Sequence, residues 1–175
     1  MSPRTTRWIA TCWSSGCSVA SHLRHLVTLE RIVSGGQTGA DRAALEWAIA
    51  RGIPHAGWCP RGRRAEDGPI DRRYQLEETP SRDYEQRTRW NVRDSDGTLI
   101  LSRAPGLTGG SAYTARAAER LGKPCLHVHP GADDAMQILE WLEKARIRTL
   151  NVAGPRSSTD PDIYGYAVAV LNSLA

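Results

Sequence analysis

One junction recurs three times in this chain, and it limits the fold more than any other feature. A short apolar run passes through a loop of small residues into a helical pattern. SGGQTGAD (34–41) follows Ile32-Val33, GLTGGS (106–111) follows the run DGTLILS, and AGPRSS (153–158) follows Thr149–Ala153. Strands that alternate with helices in this way build a parallel sheet covered on both faces. Right-handed crossovers then bring the strand-to-helix loops to one edge of that sheet.

The periodicity fills in the remaining elements. Strands are expected at Leu29–Ser34, His55–Cys59, 96–102, Cys125–Val128 and Thr149–Ala153. Helices are expected at Gly39–Arg51, Tyr84–Asp94, Ser111–Leu121 and Asp133–Ala145, with a last one after Pro161. Ala40, Ala44, Trp47 and Ala48 share one helical face. Ile138, Leu139 and Leu142 share another, and Ile163, Ala167, Val170 and Leu171 a third. The polar stretch between Cys59 and Tyr84 reads as a long functional connection or lid. The fold class is therefore α/β: a Rossmann-like three-layer sandwich with a mostly parallel sheet of about five or more strands.

The chain has 175 residues, which suits one domain with a sizeable core. Residues 29–175 form that ligand-binding domain. Residues 1–28 read as an N-terminal extension, either disordered or the product of a start assigned too early. Arg4, Arg7 and Arg24 lie in this stretch, which has no acid. A transit-type peptide shares that composition, whereas a secretory signal needs a cleaner apolar core. Without those three arginines the 23 basic residues fall to 20 against 19 acidic ones, so the net charge of +4 is no argument for nucleic acid. No apolar run is long enough to span a membrane. The four cysteines form no zinc spacing and no CxxC pair, which points to reduced thiols and the cytoplasm, with Cys125 buried in a strand.

The three loops are suited to holding an anion. Free N–H groups at helix starts and the helix dipole both favour negative charge. Gly35 and Gly36 permit a tight turn, and Gly39 permits close approach. Gln37 and Thr38 add donors. Asp41 either stabilises the helix start or accepts a ligand hydroxyl or amine. Gly109, Gly110 and Ser111 form the second cradle. Gly154, Pro155, Arg156 and Ser157 form the third, with Arg156 either clamping a phosphate bidentately or remaining a solvated charge. Arg61 lies on the long connection and is a further candidate. Arg87 and Asn91 share a helical face, as ligand contacts or as an exposed i,i+4 pair. Glu66 and Asp67 are expected to pair with Arg61–Arg64. The pattern is neither a Walker A loop nor a complete G-x-G-x-x-G. No Ser-His-Asp, Cys-His or metal-ligand cluster emerges, so no catalytic or metal-binding residue is nominated.

Six ordered segments, IVSGGQTGADRAAL, GWCPRGRRAEDG, RTRWNVRDSDGTLIL, GLTGGSAYT, GKPC and LNVAGPRSS, resemble the molybdenum cofactor carrier family. The resemblance spans about residues 30–175. That family lies in the Rossmann-like superfamily of lysine-decarboxylase-like proteins and cytokinin-activating phosphoribohydrolases. The resemblance implies a homo-oligomer, dimer or tetramer, and a small phosphorylated ligand at the three loops. Molybdenum cofactor (molybdopterin) is the family's named ligand; the alternative is a nucleotide phosphate. The enzymatic relatives carry Pro-Gly-Gly-x-Gly-Thr-x-x-Glu, and GLTGGSAYTARAAE matches it only in part, with Glu119 displaced along the helix. A carrier is thus the leading expectation. A nucleoside-monophosphate phosphoribohydrolase-like enzyme and a nucleotide-signal sensor are its rivals.

Overall fold

The computed structural model describes residues 28–131 and 134–174. The extension read in residues 1–28 therefore lies almost wholly outside the described residues, as does Asp133 at the expected start of a helix.

Five strands form one sheet: β1 (Arg31–Val33), β2 (His55–Ala56), β7 (Gly97–Leu101), β8 (Cys125–Val128) and β9 (Thr149–Ala153). Every pairing among them is parallel, in the order β2-β1-β9-β7-β8. Counted from β9 as the first strand, that order becomes 3-2-1-4-5. These are the first five positions of the doubly wound dinucleotide fold. The chain is thus a circular permutation of that topology, and its central strand comes last. The fold is the expected α/β Rossmann-like sandwich.

Two helical layers cover the sheet. One comprises α1 (Ala40–Ala50), α4 (Asp134–Lys144) and α5 (Ile163–Ser173). These helices share the main core with the strands, through Ala44, Trp47, Ile138, Leu142, Ile163 and Leu171. The other layer pairs α2 (Tyr84–Arg93) with α3 (Gly109–Arg120) over Val92, Ala117 and Ala118. β7 lies between the layers, and all five of its residues are buried, as expected for a central parallel strand.

Three local readings are corrected. The strand expected over His55–Cys59 breaks at Gly57, giving β2 and then β3 (Trp58–Cys59). A Cβ on Gly57 would stand 1.9 Å from the Ser34 carbonyl oxygen, so the chain bends there against β1. The long polar connection is also built. β3 pairs with β6 (Glu77–Glu78), and β4 (Arg64–Ala65) pairs with β5 (Gly68–Pro69). Ile70, Tyr74 and Leu76 pack on Leu45 and Cys59 as a second small core. The Arg63 guanidinium donates to the carbonyls of Ile70, Asp71, Tyr74 and Leu76, tying the segment to itself. Finally, Cys125 on edge strand β8 is exposed, whereas Cys59 is buried. An edge strand has one open flank, which an apolar run in the sequence does not reveal.

Candidate functional site

The loops after β1, β7 and β9 leave three adjacent strands at their carboxyl ends. The strand order reverses between β9 and β7, the position where doubly wound sheets open a ligand crevice. A cleft of about 800 Å³ occupies that place. This volume is in the range that holds a ligand of nucleotide size rather than a bare anion.

The cleft brings together Gly35, Gln37 and Asp41 from the first loop, and Gly109, Gly110 and Ser111 from the second. It adds Gly154, Pro155 and Arg156 from the third, with Arg87 and Asn91 of α2. Gly36, Thr38, Gly39, Ser157 and Arg61 lie outside its lining. Arg61 is exposed on the inserted segment, where its N–H donates to Ser81.

The glycines separate into two kinds. A Cβ on Gly36 would meet Leu76 at 2.5 Å, and one on Gly39 would meet the Pro155 oxygen at 2.6 Å. Their φ values are 73° and 79°. These glycines seat the first loop against the inserted segment and the third loop. Gly154 likewise fits between β7 and α1: its Cβ would lie 2.3 Å from the Leu101 oxygen and 2.6 Å from Ala40 Cβ. By contrast, a Cβ on Gly109 or Gly110 would meet nothing within 4 Å. These two open the start of α3, which no side chain caps. The first-turn amides of a helix have no intrahelical acceptor, so these amides can bind an anion.

Asp41 is buried and accepts from Arg87 Nη1 at 2.9 Å and from the Gln37 N–H at 3.2 Å. Burial raises its carboxyl above the ordinary value, against the pull of Arg87 and the Gln37 and Gly35 amides. Asp41 therefore has a third role, the buried counter-ion of Arg87. Arg87 Nε is buried with no hydrogen-bond partner among the described residues. Asn91 is committed to β3: its amide accepts the Trp58 N–H at 2.6 Å and donates to the Trp58 oxygen at 3.1 Å.

Glu66 does not pair with Arg61–Arg64, as the sequence suggested. It accepts from Thr38 Oγ1, Ser158 Oγ and the Ser158 N–H, and lies 3.4 Å from Arg156 Nε. Its own N–H donates to Gln37 Oε1. The first loop, the inserted segment and the third loop meet at this one carboxylate. Asp67 pairs with Arg42. Both acids are reached across the fold, and near-neighbour charges in sequence gave no signal of it.

Several cleft residues were missed in the sequence. Arg103 spans from the loop after β7 to Asp160 and Asp162 before α5, at 3.1 and 2.7 Å. Tyr84, Tyr113 and Arg116 line the wall built by α2 and α3. Among the described residues no group of His, Cys, Asp and Glu could hold a metal, and no helix is long and apolar enough to cross a membrane. The residues present fit a phosphorylated organic ligand: open first-turn amides, arginines from two helices and two loops, and one buried guanidinium nitrogen without a partner among the described residues.

Residues 32–175 match the family described as the circularly permutated YpsA SLOG family. The crystal structure of a protein from Syntrophus aciditrophicus SB, named "Putative molybdenum carrier protein", is 48% identical to this chain. It superposes with a TM-score of 0.82 over 84% of this chain and 95% of its own. No curated protein matches. The permuted strand order agrees with the family's description. The chain belongs to the circularly permutated YpsA SLOG family.

Proposed function

We propose that this member of the circularly permutated YpsA SLOG family is a carrier for molybdenum cofactor or a related phosphorylated pterin or nucleotide. One observation carries the reading: the cleft at the strand-order reversal is faced by the uncapped start of α3, with Gly109 and Gly110 open to it. The similar protein named as a molybdenum carrier supports the choice of cargo.

In this reading the amides of Gly109, Gly110 and Ser111 hold the ligand phosphate, and Arg156 and Arg87 add charge. Each charge-assisted hydrogen bond contributes about 1.5–3 kcal/mol, so a few converging bonds give micromolar affinity or better. The protein holds its cargo without turning it over, works in the cytoplasm, and assembles as a homo-oligomer. The test is to denature the purified protein without oxygen and identify the released small molecules by mass spectrometry, with metal analysis alongside. A pterin with molybdenum is expected. A nucleotide or sugar phosphate without metal would replace the cargo.

A second reading, release of a base from a nucleoside monophosphate, draws on Asp41, a buried acid with a raised pKa on the cleft. Its pairing with Arg87 weighs against a free catalytic carboxylate.

A further inference from the structure

We infer that the α2–α3 wall of the cleft is a stacking surface for a planar heterocycle, with Tyr84 and Tyr113 as the residues that select a ligand bearing such a ring. This deepens the phosphorylated-ligand reading and rests on it.

Both tyrosines line the cleft, one from the start of α2 and one from the first turn and a half of α3. Tyr84 is 37% exposed, one of the few large apolar side chains so open among the described residues. Tyr113 packs one side on Val92, Ala117 and Ala118 and remains part-exposed. Each ring carries its own cation. The Arg87 guanidinium carbon lies 5.9 Å from the Tyr84 centroid, and that of Arg116 lies 6.0 Å from the Tyr113 centroid. Both arginines also line the cleft.

A single exposed tyrosine needs no explanation. Two rings on one wall, each with a guanidinium about 6 Å from its centroid, offer aromatic faces beside cationic groups, of which Arg87 is already paired with Asp41. Such a surface suits an electron-rich bicyclic ring attached to an anion, because stacking tolerates any π face. The cleft is also much larger than a phosphate alone requires. Stacking on one aromatic side chain changes affinity by about tenfold or more.

The test is titration calorimetry of the full chain with six probes: inorganic phosphate, ribose 5-phosphate, guanosine, guanosine monophosphate, neopterin and neopterin monophosphate. At least one ring-bearing phosphate should bind about tenfold tighter than ribose 5-phosphate. That gain should disappear in Tyr84→Leu or Tyr113→Leu, which keep apolar bulk, and survive in Tyr84→Phe and Tyr113→Phe, which keep the ring. Circular dichroism melts establish that the variants are folded. Ribose 5-phosphate binding as tightly as both ring-bearing phosphates would overturn the stacking wall and leave the phosphate reading intact. So would a ring-dependent gain that persists in both Leu variants. Guanosine or neopterin binding as tightly as its phosphate would support the wall and overturn the phosphate reading. No binding by any of the six would overturn both.

Discussion

Arg87 Nη1 and Asp41 Oδ2 form a 2.9 Å ion pair at the base of the cleft, with their side chains 14% and 5% exposed. The pair joins α2 to α1 across the sheet edge. A Cβ on Gly35 would sit 1.4 Å from that Nη1, so the glycine exists to let the guanidinium pass.

Removing the cation should cost more than the pair itself contributes, because it strands a buried carboxylate. Arg87→Met is expected to lose about 3 kcal/mol of stability at pH 7. Burial already raises the Asp41 pKa, and losing Arg87 removes its main opposing influence. A raised folded pKa contributes stability that is complete below the ordinary carboxylate value and lost as pH rises through the folded value. The deficit should therefore shrink from pH 7 towards pH 4, and Asp41→Asn combined with Arg87→Met should recover most of it. Urea unfolding across that range is the measurement. A deficit independent of pH would mean that packing, not charge, is what Arg87 provides.

The two kinds of glycine give a second contrast. Gly39→Ala forces a side chain onto φ 79°, ψ −129°, a backbone region nearly reserved for glycine, at about 1–3 kcal/mol, and meets backbone at Pro155. Its melting temperature should fall by several degrees. Gly110→Ala meets nothing and replaces a helical glycine, so stability should hold or rise by about 0.5–1 kcal/mol. If the start of α3 receives the phosphate, the same Gly110→Ala should nonetheless weaken ribose 5-phosphate binding. Scanning fluorimetry and calorimetry on the two variants separate the effects.

These glycines also show what the sequence could disclose. Three small-residue loops after three apolar runs are local patterns, and they predict the sheet edge and part of the cleft's lining. Which glycine faces solvent and which faces a neighbouring loop depends on β1, β9 and β7 lying side by side. That order arises from pairings more than fifty residues apart, so SGGQTGAD read as a cradle equivalent to the other two, whereas its Gly36 and Gly39 pack against Leu76 and Pro155. The segment 57–81 was illegible for another reason. Strands of two residues have no periodicity, and their core of Ile70, Tyr74 and Leu76 is spaced to no regular element. Arg103 escaped notice because its acids lie 57 and 59 residues away.

Glu66 should act as the fastener of the cleft's rim. Burial tends to raise its carboxyl, but hydrogen bonds from Ser158 and Thr38, with Arg156 nearby, hold it below the ordinary value. A lowered folded pKa contributes stability that is present above the ordinary value and lost as pH falls through the folded one. Glu66→Gln is thus expected to be less stable than wild type at neutral pH, with the gap closing in acid. Hydrogen exchange at the Ser158 amide, whose acceptor is Glu66 Oε1 at 3.0 Å, should accelerate in Glu66→Ala. Unchanged protection there would remove Glu66 from this role.

The arginines around the cleft should differ in what they do for a bound phosphate. Arg103 is engaged by Asp160 and Asp162 on the surface. Exposed pairs of that kind contribute at most about 1 kcal/mol, so Arg103→Ala should fold normally and bind ribose 5-phosphate with little change. Arg156 is 52% exposed, and its Nε lies 3.4 Å from a single carboxylate, which leaves most of its guanidinium for a ligand. Arg156→Ala should weaken ribose 5-phosphate binding by about tenfold or more, the loss of one charge-assisted hydrogen bond. It should also flatten the dependence of that affinity on salt, because screening acts on the charge that has been removed. Calorimetry at two ionic strengths reads both effects. Equal losses in the two variants would mean that the cleft senses only summed charge. A larger loss in Arg103→Ala would move the phosphate towards the loop after β7.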